Sequence, residues 1–245
     1  EDLKSKISIH TKGIIINSPS NPTGSVWSDE ATLNILSLAK ENNWVIISDE
    51  CYERLVFDGE FTSAQKLNID NNIGANIITC MSMSKTYSMT GWRIGYAFGE
   101  EKIIKAMSKI QGQATSCANS ISQSASVEAL TGDQSAVELM KNKFKERRDL
   151  MVSLLNDIPS TQCDMPGGAF YAFPDFSHYL GKSFNNIKIK NSFDLSDLFL
   201  NQAQVVTVPG DGFGAPGHIR FSYPISSSLI RKGIKRIKNI LEKLI

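Results

Sequence analysis

The stretch NIITCMSMSKTYSMTGWRIGY, residues 76–96, joins an apolar run to a lysine among serines and threonines, with an arginine eight residues later. Its first part predicts a buried strand over Asn76–Lys85. Two earlier apolar runs, Lys12–Asn17 and Trp44–Glu50, flank a helical pattern that begins at Ser28 and continues to about residue 43. Continuous apolar strands that alternate with a helix predict an α/β fold with a mostly parallel sheet, covered on both faces.

The C-terminal end of this stretch predicts one more strand, and after it the sequence pattern changes first to helices and then to short apolar runs. Trp92–Gly99 is predicted as a strand, followed by helical patterns over Ile103–Gln111, Asn119–Leu130 and Gln134–Asn156. After Pro159 the sequence has short apolar runs and loops, then a terminal amphipathic helix. We therefore predict a domain boundary near residue 140, with a larger α/β domain over 1–140 and a small α+β domain over 141–245.

The composition excludes several classes of function. The formal net charge is +1 at pH 7, so no bulk field attracts nucleic acid or an anionic membrane, and the basic residues of the last helix are interpreted as a solvated face. No apolar run approaches the roughly 18 residues of a membrane span. The four cysteines are scattered without a metal-ligand spacing, so we expect no metal site and reduced thiols in a cytoplasmic protein.

Polar residues stand at the predicted carboxyl ends of the strands, where open α/β sheets bind ligands. They are Asn17 and Asn21 after the first strand, Asp49 after the second, Ser82 to Lys85 after the third and Arg93 in the turn beyond. Each also has a local interpretation: Asn21 before a proline can shape a turn, Asp49 can cap or pair locally, Lys85 can be a surface lysine and Arg93 an ordinary ion-pair partner. Their position at one edge favours a shared anionic ligand.

The chemistry of these residues matches one cofactor. Hydroxyls and a bidentate arginine hold phosphate, and Ser82, Ser84 and Arg93 supply both. A lysine beside a phosphate site, in an apolar wall and near another cation, is expected to favour its neutral form, and a neutral lysine attacks carbonyls. A carboxylate such as Asp49 can keep a ring nitrogen protonated. Together these features describe pyridoxal phosphate (PLP).

Five motifs follow one another along the chain: NSPSNPTG, SDECYE, SMSKTYSMTGWRIGY, MPGGAFYAF and the ending PG…FG…HIRFSY. In this order they resemble the class I/II aminotransferases of PLP fold type I, and within that family the bacterial aspartate aminotransferase group. The motifs extend from Lys12 to the C-terminus. The resemblance implies a mixed, mostly parallel sheet with flanking helices and a small C-terminal domain.

The resemblance also implies a role for each candidate residue. Lys85 would form the Schiff base with PLP and move a proton, Asp49 would pair with the pyridine nitrogen, and Tyr52 would donate a hydrogen bond to the 3′ oxygen of the cofactor. Asn21 would reach that oxygen and the substrate carboxylate. Ser82 and Arg93 would hold the phosphate. Arg220, on the opposite side of its strand from Ile219 and Phe221, would bind the substrate α-carboxylate.

The implied reaction is transamination between an amino acid, aspartate or glutamate by family inference, and a 2-oxo acid such as 2-oxoglutarate. Two alternatives stay open: a PLP-dependent lyase of the same fold, which would release pyruvate and ammonia without an acceptor, and a non-catalytic regulatory domain. The resemblance implies a homodimer for the full-length protein. Only sixteen residues precede Asn17 and there is no initiator Met, so we expect a fragment with weak or no activity; robust transamination by the 245-residue chain would contradict that expectation.

One glycine motif matches a known binding pattern but lacks the structural context that this pattern requires. Gly212-x-Gly214-x-x-Gly217 matches a dinucleotide-binding fingerprint but leads into the predicted strand HIRFSY instead of a helix. The three histidines are far apart in sequence and have no serine or cysteine partner pattern, so triad chemistry is not supported.

Overall fold

A computed structural model describes residues 2–245, which form two compact units. The first comprises the chain up to Pro19 together with Val26–Val137, and the second comprises Ser20–Ser25 together with Glu138–Ile245. Within the described residues, no helix is both long and apolar enough to cross a membrane.

The first unit is built on a four-stranded sheet in the order β1-β2-β3-β4. Its elements are α1 (Asp2–Lys6), β1 (Gly13–Asn17), α2 (Asp29–Glu41), β2 (Val45–Asp49), α3 (Ala64–Asp70), β3 (Asn76–Ser82), α4 (Met83–Thr86), β4 (Gly95–Gly99), α5 (Glu101–Thr115) and α6 (Ser120–Thr131). Strands β1, β2 and β3 are parallel and β4 is antiparallel. The prediction of a mostly parallel sheet is confirmed.

Helices α2 and α3 cover one face of this sheet. Helix α2 begins where the Oγ atom of Ser28 accepts a hydrogen bond from the Ala31 N–H, which satisfies one donor of the first turn. Its apolar side joins a core that also contains β-branched residues of the strands. The buried members of this core are Ile16, Leu36, Ala39, Trp44, Ile46, Ala64, Leu67, Ala75 and Ile77. Removal of this surface from water stabilises the layer.

The opposite face differs from the prediction of a sheet covered on both sides. The side chains of Ile15 and Ile47, which are neighbours in the β1–β2 register, are 71% and 37% exposed. Successive residues of a strand point to opposite faces, so burial of Ile16 and Ile46 by α2 leaves their neighbours on the open side. Helical cover is therefore confined to one face at these positions.

The second unit combines helices with short strands. Its elements are α7 (Ser135–Asn156, which begins in the first unit), β5 (Tyr171–Ala172), β6 (Ser183–Phe184), β7 (Ile187–Lys188), α8 (Ser192–Leu198), β8 (Val208–Pro209), β9 (Ile219–Ser222) and α9 (Ser227–Leu241). Strands β5, β9 and β8 form an antiparallel sheet in that order, and β6 pairs with β7.

Helix α9 packs through one stripe of residues against this unit. Ile230, Ile234, Ile237 and Leu241 recur at helical spacing and are all buried, whereas most of the lysines and arginines between them are exposed. This agrees with the interpretation of the basic residues as a solvated face.

Candidate active site

The carboxyl edge of the first unit's sheet carries Asp49. Strand β2 ends at this residue, between Asn17 of β1 and Cys80 of β3 in the register. The Asn17 side-chain amide donates to the backbone carbonyl of Asp49 at 3.2 Å, and the Cys51 N–H donates to the Asp49 Oδ1 atom at 3.2 Å. The carboxylate is thus fixed at the strand end, where parallel sheets present ligand-binding groups.

Lys85 lies beyond the end of β3, in the one-turn helix α4. The predicted strand over Asn76–Lys85 was three residues too long, because Ser82 caps α4: its Oγ atom accepts a hydrogen bond from the Ser84 N–H at 3.1 Å. Lys85 is half-buried, and its Nζ atom lies 5.7 Å from the centroid of the Tyr52 ring. Tyr52 is only 4% exposed, so the lysine is held beside a buried aromatic wall.

Arg93 returns to the same edge through the reversal between β3 and β4. Ser82 is paired with Gly95, and the Met83 N–H donates to the Ile94 carbonyl at 3.3 Å. The strand predicted from Trp92 begins only at Gly95, because Arg93 has a left-handed backbone with φ of 53° and ends a 3₁₀ turn. This antiparallel return places Arg93 beyond the end of the strand that carries Ser82.

The Arg93 side chain is exposed and partly anchored. Its Nη1 atom donates to the Thr90 carbonyl at 2.8 Å. The residue borders a cleft of about 760 Å³ formed by β4, α5 and the segment between α5 and α6, whose lining includes Tyr96, Met107 and Cys117. Arg93 therefore lines a space large enough for a small-molecule ligand.

Two thiols flank Asp49. Burial, a hydrogen bond with the Asp49 carboxylate and its charge together raise the pKa of Cys51 to about 12, whereas Lys85 acts in the opposite direction. Burial and the Asp49 charge also raise the pKa of Cys80. Both Asp49 and Lys85 therefore act electrostatically on the same thiol, and both cysteines stay protonated near neutral pH.

The second unit holds the other two candidates, Asn21 and Arg220. The Arg220 Nη1 atom donates to the Asn21 Oδ1 atom at 2.6 Å, across 199 residues of sequence. The guanidinium carbon lies 4.6 Å from the centroid of the Tyr171 ring and 5.3 Å from that of Phe213. The Arg220 Nε atom is buried and has no hydrogen-bond partner among the described residues.

The backbone of β9 explains the position of Arg220. Ile219 and Phe221 are buried on one side of the strand, at 0% and 3% exposure, while Arg220 is only partly buried on the other. The alternation predicted from HIRFSY is therefore confirmed. Two aromatic rings therefore lie against the guanidinium, a planar group of the kind that binds two-oxygen acceptors such as carboxylates.

Sequence reasoning found the charged residues at these positions and missed their neighbours. Asp49, Tyr52, Ser82, Lys85 and Arg93 all lie at or just beyond strand ends of the first unit. Their roles, and those of Asn21 and Arg220, stay predictions.

The residues that were missed are aromatic rings and thiols, chiefly Tyr171, Phe213 and Cys51. Tyr171 lies within MPGGAFYAF, a motif that was recognised as a whole. No local signal distinguishes a ring that stacks on a guanidinium from an ordinary core ring.

The chain is similar in sequence to known aminotransferases. The model of the family described as aminotransferase class I and II matches residues 1–237. A relative named "Probable aspartate/prephenate aminotransferase" from Aquifex aeolicus (strain VF5) is 41% identical over 247 residues, covering 100% of this chain and 61% of the relative. The aspartate aminotransferase of Bacillus sp. (strain YM-2) is 41% identical over 245 residues, covering 99% of this chain and 60% of the relative.

The structural comparison gives the same result. The crystal structure of the aspartate aminotransferase from Rhizobium meliloti matches with a TM-score of 0.92 at 38% identity, covering 99% of this chain and 61% of that one. The present chain thus spans about three fifths of the length of the relatives that it matches.

Proposed function

Because the chain belongs to the class I and II aminotransferases, we propose that it carries residues for PLP-dependent transamination between an amino acid and a 2-oxo acid. The fold is that of the PLP-dependent transferases of fold type I, as the sequence predicted. Aspartate or glutamate as amino donor and 2-oxoglutarate as acceptor form part of the proposal, which is supported by the names of the relatives.

The residues of the first unit fit the chemistry of PLP. A half-buried lysine suits its aldehyde, a carboxylate at the end of a strand suits a protonated pyridine nitrogen, and a hydroxyl with a guanidinium suits its phosphate. Lys85, Asp49, Ser82 and Arg93 are these groups in the proposal, with Tyr52 as donor to the ring oxygen. When bound, PLP supplies an electron sink for the Cα–H bond of an amino acid.

The remaining work is assigned to side chains of this protein. Lys85 would take the proton from the substrate Cα atom and deliver it to the C4′ atom of the cofactor, two bonds away, which its flexible four-carbon stem permits. The Asp49 carboxylate, anchored by the Cys51 N–H, would hold the positive charge of the ring nitrogen. The planar guanidinium of Arg220 would bind the α-carboxylate, with Asn21 holding it in place.

A single observation carries the proposal. The Lys85 Nζ atom lies 5.7 Å from the centroid of the buried Tyr52 ring, and the charges of Lys85 and Asp49 both act on the pKa of Cys51. The combination of nucleophile, phenol and carboxylate is what a carbonyl cofactor with a basic ring requires.

The test is covalent capture of the cofactor. The 245-residue chain would be incubated with PLP, reduced with borohydride and digested, and the modified lysine located by mass spectrometry. We expect modification at Lys85 in the unchanged chain, its loss in Lys85→Ala and its retention in Lys102→Ala, a matched control because Lys102 is exposed on α5. Equal labelling of Lys85 and of exposed lysines would contradict the proposal.

A second measurement separates the candidate reactions. Aspartate consumption that requires 2-oxoglutarate supports transamination, whereas pyruvate and ammonia formed without an acceptor indicate a lyase. Selective capture of PLP without turnover by the full-length protein would favour the non-catalytic alternative, whereas the same result for the 245-residue chain agrees with the weak or absent activity expected of a fragment.

The proposal extends to assembly and location. Enzymes of this fold type are usually homodimers, and we propose a homodimer that analytical ultracentrifugation of the full-length protein would detect. All four cysteines are free thiols, which supports a reducing, cytoplasmic location.

A further inference from the structure

Arg148 is a buried cation outside the residues discussed so far. It lies on α7 in the second unit and is 3% exposed. Its Nε and Nη2 atoms each lie 2.8 Å from the Asp149 Oδ1 atom, and its Nη1 atom donates to the Pro166 carbonyl at 2.9 Å. Withdrawal of a guanidinium from water is costly unless it is paired and hydrogen-bonded, so this arrangement calls for a structural reason.

The two members of the ion pair differ in their surroundings. The Arg148 side chain is 4% exposed, whereas that of Asp149 is 51% exposed. The carboxylate is therefore partly solvated, and a core ion pair alone is a poor account of the buried arginine. The hydrogen bond to the Pro166 carbonyl connects this helix to a segment that is distant in sequence.

Pro166 supports the segment 20–25, which contains Asn21. The Gly168 N–H donates to the Gly24 carbonyl at 2.8 Å, and a Cβ atom added at Gly24 would lie 2.5 Å from the Pro166 Cβ atom. The Gly24 N–H in turn donates to the Ser20 carbonyl at 2.9 Å, closing a turn around Asn21. Pro166 and Gly168 are thus in van der Waals and hydrogen-bond contact with this turn.

Residues 166–171 also supply an aromatic ring that lies against the Arg220 guanidinium. Tyr171 follows Gly168 by three residues and is paired with Ser222 in the β5–β9 ladder. The Arg220 guanidinium carbon lies 4.6 Å from the centroid of the Tyr171 ring, and the Arg220 Nη1 atom donates a hydrogen bond to the Asn21 Oδ1 atom. Residues 166–171 therefore contact Arg220 through Tyr171 and, through Pro166 and Gly168, the turn that contains Asn21.

We propose that Arg148 is a positioning residue: by holding the Pro166 carbonyl it orders segments 20–25 and 166–171, and so sets the Asn21 side chain against Arg220. The inference rests on the proposed function only in taking this pair as the carboxylate site. Arg148 itself acts through the backbone, by its hydrogen bond to the Pro166 carbonyl.

The experiment measures local order without a ligand. In the 245-residue chain, the amide exchange rates of Gly24 and Gly168 and the signal of the Arg220 Nε–H group would be followed by NMR. Loss of a buried hydrogen bond to a charged donor should raise these exchange rates roughly tenfold in Arg148→Met. Arg148→Lys, which keeps the charge but cannot make both contacts, should give an intermediate rate.

Arg147→Met is the matched control. Arg147 is the preceding residue of α7, and its guanidinium lies over the Phe144 ring at 5.9 Å. Unchanged exchange in this variant, together with faster exchange at Gly24 and Gly168 in the Arg148 variants, supports the proposal. Equal exchange in Arg148→Lys and in Arg147→Met overturns it, and the lysine variant decides the question if Arg148→Met does not fold.

Carboxylate binding is measured separately. Titration with 2-oxoglutarate should show weaker binding in Arg148→Lys than in Arg147→Met if the pair is a carboxylate site. Faster exchange in a chain whose wild-type form binds no 2-oxoglutarate would support the positioning role and count against the proposed function. The positioning role of Arg148 and the proposed function can therefore be contradicted independently of each other.

Discussion

Gly24 is the position where a single added methyl group should be most informative. Its φ is +69°, a conformation that costs an alanine about 1–2 kcal/mol. A Cβ atom there would also lie 2.5 Å from the Pro166 Cβ atom and 2.8 Å from the Gly168 carbonyl oxygen. Neither neighbour is the end of a flexible side chain, so the backbone must shift, and such overpacking adds about 1–3 kcal/mol.

Gly214 provides the comparison. It has nearly the same φ, +74°, lies in the same unit, and has nothing within 4 Å of an added Cβ atom. Gly214→Ala should therefore lose only the conformational part, about 1–2 kcal/mol. Gly24→Ala should lose about 2–5 kcal/mol in total.

The assay is urea unfolding of both variants beside the unchanged chain. With an m value of roughly 2 kcal/mol/M, the extra cost of Gly24→Ala separates the two midpoints by about 0.5–1.5 M. Coincident midpoints would refute the reasoning, since they would mean that the segments around Gly24 and Pro166 yield without cost. Faster amide exchange at Gly168 in Gly24→Ala alone would locate the strain.

Three other predictions concern capping, core packing and thiol reactivity. Ser28→Ala removes the cap of α2 and should lower the free energy of unfolding by about 1 kcal/mol, and an unchanged urea midpoint would argue against the cap. Leu36→Ala, at a fully buried position, should cost about 2–5 kcal/mol, whereas Leu229→Ala, at 54% exposure, should cost far less; similar losses would contradict the packing account. Burial raises the pKa of Cys163 to about 12, so its thiolate fraction at pH 8 is very small, and iodoacetamide should label exposed Cys117 first; faster labelling of Cys163 would show that the assigned burial is wrong.

The sequence was most informative where one physical rule decides the structure. Strands β1 and β2 were predicted within a residue or two of their ends, because a parallel sheet gives uninterrupted apolar runs. The polar residue at such an end is then placed by topology alone, and Asp49 was found in this way. Helix α2 was found from its cap and its periodicity.

The errors arose where tertiary contacts overrode the local pattern. The strand predicted through Lys85 stops at Ser82, whose hydroxyl caps a helix inside an apolar, strand-like run. Arg93 was assigned both to a turn and to a strand, and its left-handed backbone is not encoded by residue type. Helices α3 and α8 have seven residues each, too short for periodicity to show.

The candidate site in the second unit required information that no local pattern holds. The contact between Asn21 and Arg220 joins residues 199 positions apart. Family resemblance suggested both residues, but the rings of Tyr171 and Phe213 around the guanidinium follow only from the packing.

Membership of residues 20–25 in the second unit has a consequence for the order in which the protein is made. At about 5–20 residues per second, a ribosome needs roughly 10–40 s to pass from Asn21 to Arg220. During that interval the segment has been synthesised, yet the strand that carries its partner does not exist. The first unit can therefore fold while residues 20–25 still lack their partners. Those residues and the C-terminal part of the second unit must then fold together as one cooperative event.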